Sequence, residues 1–298
     1  MSVENQGFWP KISLVLPTLN QSAYIEETIK SIIDQKYKNL EFIILDGGST
    51  DGSIEIIKKY ADKLAYWQSK PDKGQTDALI QGFERATGEI LGWVNSDDVL
   101  FPGALEKIAG AYKNNPDIGI FAGNYVIIDT QGKIIRIKRH PREYEWFGKH
   151  GLQVISPEWF FTREAYNVSG GLDKNLNYAM DLDLFMKMIM RGVHCKYIDS
   201  DLLGFRFHPG SKTVAQKHGF YNDSLHVARW LEEKNQVKLV IISNNDRLNK
   251  NKYGIAPFRS NYYWVYRIYQ ILNGNYLKMF TKTLRYKGMN WRHYSQIR

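Results

Sequence analysis

Over residues 11–112, short apolar runs alternate with segments whose apolar residues recur at helical spacing, and no other feature narrows the fold as much. Lys11–Leu16 reads as a buried strand stopped by Pro17. Ile25, Ile29, Ile32 and Ile33 then mark a helix, with Ser22 as its N-cap. Leu40–Leu45 is a second strand that runs into the turn cluster Asp46–Gly52, and a helix capped by Asp51 follows through Ile54, Ile57 and Tyr60. Leu64–Trp67 reads as a short strand and Gly74–Ala86 as a helix with Ala78, Leu79 and Phe83 inward. The strand Ile90–Val94 and a helix over Ala104–Tyr112 complete the series. This order predicts an α/β fold with a mostly parallel sheet and helices on both faces.

The pattern changes after about residue 117. Ile118–Phe121, Tyr125–Asp129 and Ile134–Ile137, with a turn at Gln131-Gly132, predict an antiparallel addition. Trp159–Phe161 is a further strand, Arg163–Val168 a short helix and Gly170-Gly171 a turn. Leu182, Phe185, Met186 and Ile189 form a helical stripe, and Cys195–Ile198 and Leu202–Phe207 are the last strands of the compact part. No internal repeat and no low-complexity segment is present.

Composition matters in three respects. Cys195 is the only cysteine, so no intrachain disulfide forms, which favours a reducing compartment. Met1–Pro10 lacks a basic region followed by an apolar run, and no stretch approaches the ~20 apolar residues of a spanning helix, so a cytoplasmic protein is expected. The charge is lopsided. Of the 40 Lys and Arg, 11 lie in residues 247–298, which contain no Asp or Glu; the first 246 residues hold the other 29 against 31 acids, a net of −2. Such a tail, interleaved with Tyr262, Tyr263, Trp264, Tyr269 and Trp291, is expected to favour an anionic membrane surface, with a helical hairpin packed on the core as the plainer account.

The candidate chemistry sits at strand and helix ends. Asn95-Ser96-Asp97-Asp98 follows the strand Ile90–Val94, where ligands bind in open α/β sheets. Two adjacent carboxylates suit a divalent cation bridging to phosphates, or else a solvated turn in which one of them caps the next helix. Asp46, before two glycines, reads either as a nucleoside contact or, more simply, as an Asx turn. Asp181 and Asp183 lie on different faces of one helix start, so they do not act as a pair; one could be a base, and Asp183 fits dipole capping better. His208, after the strand Leu202–Phe207, is either a metal or phosphate partner or an ordinary solvent-facing or core histidine. There is no G-x-G-x-x-G after the first strand, no P-loop and no zinc spacing.

Taken in order, these segments resemble the family-2 glycosyltransferases of the GT-A fold. The resemblance covers residues 11–214 and rests on ISLVLPTLN, DGGSTDGS, DKGQTDA with GEILGWVNSDD, GGLDKNLNYAMDLDL and FHPGS. It implies a GT-A domain over 1–214, with a nucleotide-binding half at 11–117 and an acceptor half at 118–214, then a basic, aromatic-rich, mainly helical extension over 215–298. It implies a nucleotide-diphosphate-sugar donor, UDP-sugar foremost, and inverting transfer to a hydroxyl of a cell-surface glycan or lipid-linked acceptor in polysaccharide biosynthesis. Carried onto this chain, Asp98 is the main ligand of Mn²⁺ or Mg²⁺ in a DxD-like motif, and His208 helps hold the metal or diphosphate. Asp97 contacts ribose or metal, and Asp181 is the general base. Pro17, Thr18, Asn20, Asp46, Lys73 and Asp77 lie along the nucleotide.

Three positions depart from the pattern. Gly47 stands where many relatives have a second Asp that reads uracil, Leu79-Ile80 replaces an Arg-Asn pair, and Met180 replaces a Glu before the base. With the basic tail, the resemblance places the protein peripherally on the inner membrane face. A non-catalytic sugar-nucleotide or nucleic-acid binder is the alternative; retention of Asp98, Asp181 and His208 together argues against loss of catalysis, and nucleic acid is not the expected partner.

Overall fold

The computed structural model describes residues 9–138 and 159–212, scattered residues between 219 and 227, and the backbone of 237–242, 265–272 and 275–283. The chain forms two compact units, Met1–Arg142 with Ile155–Ser224, and Glu143–Val154 with Leu225–Arg298.

The first unit is built on one mixed sheet. Its strands are β1 (Ile12–Thr18), β2 (Leu40–Asp46), β3 (Tyr66–Ser69), β4 (Ile90–Trp93), β5 (Val99–Leu100), β6 (Ile118–Ile128), β7 (Ile134–Lys138), β8 (Trp159–Thr162) and β9 (His194–Arg206). Their order across the sheet is β3-β2-β1-β4-β8-β6-β9-β5, with β7 added on β6. β3, β2, β1 and β4 run parallel, as expected. β8 is antiparallel to β4 and β6, while β6 and β9 are parallel. The helices are α1 (Ile25–Ile33), α2 (Ser53–Lys59), α3 (Gln75–Arg85), α4 (Ala104–Asn114), α5 (Arg163–Ser169) and α6 (Met180–Met190).

Several boundaries differ from those read in the sequence, each for a local reason. β1 continues through Pro17, since β4 pairs only with Ile12–Val15 and leaves the later residues bonded on the β2 side alone. A proline is tolerated where no ladder partner needs its N–H. Ser22 does not cap α1; Tyr24 stands at that position, and the Ser22 N–H donates to Asp51 Oδ2 at 2.8 Å. Asp51 in turn is one residue short of the cap of α2, which is Gly52. Neither Asp97 nor Asp98 caps α4, whose N-cap is Gly103. The two segments read at 118–121 and 125–129 are one strand, β6, as are the two that make β9.

The core lies between the sheet and its helices. β1 is buried along its whole length, and α1 buries Ile25, Ile29 and Ile32 against it. On the other side α3 lies close on β1, because a Cβ at Gly82 would come within 2.4 Å of Val15 Cγ1. That close approach sets the start of α3 beside the carboxyl end of β1.

In the second unit, β10 (Val237–Ile242), β11 (Val265–Leu272) and β12 (Asn275–Thr283) form an antiparallel three-stranded sheet. Between 237 and 283 the described extension is therefore strand, and the helical expectation is corrected there. β-branched and aromatic residues such as Val265, Tyr266, Ile268 and Tyr269 favour pleated structure. The side chains proposed for membrane contact in 247–298 lie outside the described residues. Among the described residues no helix is long and apolar enough to cross a membrane.

Candidate active site

The chain leaves β1 to build β2 and β3 on one side and returns to β4 on the other, so the strand order reverses at β1. Crevices for ligands form beyond the carboxyl ends of strands at such a switch point. A cavity of about 400 Å³ opens there. Its wall includes Pro17 and Thr18 from β1, Asp72 and Gln75 before and at the start of α3, Asn95–Asp97 after β4, Asn177–Tyr178 and Asp181 at α6, and Gly210–Lys212.

Ser96 and Asp97 form a turn closed by the Asp98 N–H donating to the Asn95 carbonyl at 3.1 Å, and the two carboxylates part there. Asp97 is on the cavity wall, and its Oδ2 lies 3.0 Å from His208 Nε2. Asp98 points inward and is 0% exposed. Its Oδ1 accepts the Arg206 backbone N–H at 2.8 Å and its Oδ2 accepts from Asn95 Nδ2 at 2.9 Å. Burial first, and then the neighbouring Asp97, push its pKa well above the ordinary carboxylate value. Both oxygens of Asp98, expected as the main metal ligand, accept hydrogen bonds from the protein, and Asp97 is the carboxylate on the cavity wall. The register supplies the reason. β5 follows Asp98 directly and pairs with β9 at Val99↔Gly204 and Leu100↔Leu203, which docks the Asp98 carboxyl on the Arg206 N–H.

Arg206 is the pin of this corner. It is 0% exposed, and its guanidinium donates to the Asp97 carbonyl at 2.7 Å, the Asp129 carbonyl at 3.0 Å and Glu27 Oε2 at 2.7 Å. It also lies over the Tyr24 ring, which packs on His208 with ring centroids 4.7 Å apart. Its signal in the sequence is an arginine inside the apolar run Leu202–Phe207.

Other expected nucleotide contacts divide. Pro17 and Thr18 line the cavity. Asp46 does not; it is 2% exposed, and its oxygens accept from the Gly48 and Ser49 N–H groups and the Ser49 and Ser69 hydroxyls. This is the Asx turn, and it organises the loop after β2. Asn20 is exposed, with φ of 53°, and its Oδ1 accepts the Thr50 N–H. Asp77 accepts from the Lys73 N–H at 3.2 Å and Gln81 Nε2 at 2.9 Å, so it braces the start of α3. Lys73 is exposed and off the wall.

Across the cavity, Asp181 is 8% exposed, and its Oδ1 is buried with no hydrogen-bond partner among the described residues. Asp183, two residues on, forms an ion pair with Lys187 at 2.6 Å, in line with a structural role. Thr18 Oγ1 and Asn177 Oδ1, also on the wall, are buried without hydrogen-bond partners among the described residues. Native interiors pair nearly all such atoms, so three on one cavity mark a place for a polar ligand.

Two charged groups that the sequence did not single out hold this side. Asp223 Oδ2 accepts the N–H groups of Asn177, Tyr178 and Ala179 at 2.8, 2.6 and 3.2 Å, fixing the turn that leads into α6. Asp223 belongs to the first compact unit, although the sequence reading put it in the extension. Lys212 donates to Gln75 Oε1 and to the Asn177 carbonyl, with the Tyr178 ring 4.7 Å away. Burial pulls its pKa down, against the charges of Asp223 and Asp181. It is the only cation among the described residues of the wall.

A divalent cation was expected here. Among the described residues no group of three or more His, Cys, Asp and Glu is placed to hold a metal. Asp97 and His208 nevertheless fit one that is completed by phosphate oxygens. In this structure Asp97 Oδ2 and His208 Nε2 are hydrogen-bonded to each other at 3.0 Å; Asp97 is on the cavity wall, and His208 is buried and not among the wall residues.

Comparisons with known proteins agree with this architecture. An uncharacterized glycosyltransferase of Rickettsia typhi is 28% identical over 215 residues, which are 67% of this chain and 65% of the relative. The chain therefore spans somewhat under two thirds of that relative's length. Among solved structures, S. aureus TarS in complex with UDP-GlcNAc superposes with a TM-score of 0.60 at 18% identity, covering 76% of this chain and 67% of that one. The mannosyltransferase PcManGT of Pyrobaculum calidifontis, in complex with GDP-Man and Mn²⁺, gives 0.57 at 20% identity, covering 76% and 65%. These two likenesses establish a shared GT-A-type fold. The model of glycosyl transferase family 2 matches residues 13–168, more than half of the chain, and the protein belongs to that family.

Proposed function

We propose that this protein is an inverting, metal-assisted glycosyltransferase. It moves a sugar from a nucleotide-diphosphate-sugar to a hydroxyl of a glycan or lipid-linked acceptor. The observation that carries the reading is one cavity lined both by Asp97, which is hydrogen-bonded to His208, and by Asp181, whose Oδ1 is buried without a partner among the described residues. The nucleotide-sugars held by TarS and PcManGT support the donor class. The 11 basic residues of 247–298, with no acid among them, support an acceptor presented at an anionic surface.

In this reading Asp97 and His208 hold the cation, which when bound supplies positive charge to the diphosphate. Lys212 adds a second positive charge to the wall. Asp181 Oδ1 accepts the acceptor's hydroxyl proton as the oxygen attacks the anomeric carbon from the face opposite the leaving group. The bond from that carbon to the diphosphate oxygen breaks, and the nucleoside diphosphate leaves with the electron pair. A single displacement of this kind inverts the configuration. The Arg206 pin and the Asp223 turn keep the two ends of the cavity in register.

The test is thermal stabilisation by UDP-, GDP- and dTDP-sugars with and without Mn²⁺. At least one donor is expected to raise the melting temperature only when Mn²⁺ is present, and Asp97→Ala is expected to abolish that increment. An unchanged Mn²⁺-dependent increment in Asp97→Ala would remove Asp97 from the metal site.

A further inference from the structure

We propose that Asp72 selects the nucleobase of the donor by presenting a hydrogen-bond acceptor from the space that a side chain at position 47 would otherwise fill. The inference rests on the nucleotide-sugar reading above.

Gly47 directly follows β2 and is not among the glycines with positive φ, so its backbone does not require glycine. Space does. A Cβ at Gly47 would lie 3.0 Å from Asp72 Oδ2 and 3.3 Å from both its Cγ and Oδ1. The Asp72 carboxylate thus lies against the bare backbone of Gly47. Residues 47 and 72 compete for one volume, and this chain fills it from 72.

The carboxylate is half committed. Oδ1 accepts the Gly74 N–H at 2.7 Å, while Oδ2 has no hydrogen-bond partner among the described residues. Asp72 lines the cavity, so Oδ2 is available to a ligand. Burial, eased by the Gly74 N–H and aggravated by Asp77 and Asp46, disfavours the bare charge, and a donor group on the ligand offsets that.

Position decides which part of the ligand this is. Asp72 follows β3, and the Gly47 volume it fills is at the end of β2. Asp97 follows β4, two places away across β1, roughly 10 Å at one strand spacing each. That is about the reach from a base to its diphosphate. A carboxylate repels phosphate, which belongs with Lys212 and the Asp97–His208 pair. Between the two ends, Pro17 and Leu19 give the wall an apolar stretch, and Leu19 is 52% exposed.

An ionised carboxylate only accepts hydrogen bonds. Uracil offers N3–H at its pairing edge, and guanine offers N1–H and an amino group. Cytosine and adenine place a bare ring nitrogen at the same point and meet lone-pair repulsion. Asp72 therefore favours uridine or guanosine diphosphates over cytidine and adenosine diphosphates.

The experiment is calorimetry of UDP, GDP, CDP and ADP binding to the full chain with Mn²⁺. The wild type is expected to bind UDP or GDP at least tenfold more tightly than CDP and ADP. In Asp72→Asn the Gly74 N–H claims the amide oxygen and turns the NH₂ toward the base, so the preference is expected to collapse or move toward CDP and ADP. The double variant Gly47→Asp/Asp72→Gly returns a carboxylate to the same volume and is expected to recover the preference. An unchanged preference in Asp72→Asn, or equal binding of all four by the wild type, overturns the role of Asp72 alone. If none of the four binds, the nucleotide-sugar reading itself fails.

Discussion

Asp98 and Asp181 are both buried aspartates at the rim of one sheet, and their surroundings treat them in opposite ways. On the β4 side Asp98 has each oxygen engaged, and Arg206 below it donates to two carbonyls and a carboxylate. On the α6 side Asp181 Oδ1 is buried and has no partner among the described residues, and the same holds for Thr18 Oγ1 and Asn177 Oδ1 on the same cavity wall. A saturated carboxylate holds backbone in place. An unsaturated one, kept that way by a folded wall, is available for a substrate proton. The difference separates scaffold from chemistry more sharply than residue type does.

The contrast breaks most visibly at Asp181. Asp181→Asn is expected to lower turnover by about 10²- to 10⁴-fold, the usual contribution of a general base, with donor affinity nearly unchanged. Single-turnover transfer beside calorimetry measures both, and near-normal turnover would remove Asp181 from the mechanism. On the scaffold side, Arg206→Met leaves two carbonyls without their donor while the half-exposed Glu27 is solvated, and a loss of about 2–3 kcal/mol in urea unfolding is expected. A change below 1 kcal/mol would mean that the corner is held by something else.

A smaller and pH-dependent effect sharpens the comparison at the opposite end of the strands. Glu41 accepts from Ser13, the Thr87 N–H and hydroxyl, and Lys11. Burial would raise its pKa, but these partners hold it at about 2, against an ordinary 4.5. A depressed carboxylate stabilises the fold above its unfolded pKa, and that stability disappears as pH falls through the folded value. Glu41→Gln is thus expected to cost about 2 kcal/mol at pH 7, the gap from wild type closing between pH 4.5 and pH 2. Equal stabilities at pH 7 would show that the neutral amide satisfies the same partners.

The parallel half of the fold was legible because its strands are short, apolar and buried on both faces, which leaves continuous apolar runs between helical segments of period 3.6. The extension was misread because alternating basic and aromatic residues carry no helix-specific mark, and its described segments are strands. At the site, the sequence pointed to the loop after β4, to Asp181 and to His208. Which of Asp97 and Asp98 reaches the cavity wall was not legible, since it depends on how β5 registers on β9. Arg206, Lys212 and Asp223 were missed because their partners lie tens of residues or more away.

By itself the sequence determined the family, the parallel β-α order and the segments that reach the carboxyl edge, because local periodicity and short motifs are encoded in neighbouring residues. Only the tertiary structure decided which carboxylates are spent on backbone and which face the cavity. It also decided that the volume over Gly47 is filled from Asp72. Whether a polar atom is satisfied depends on groups brought together by packing, and no spacing along the chain records that.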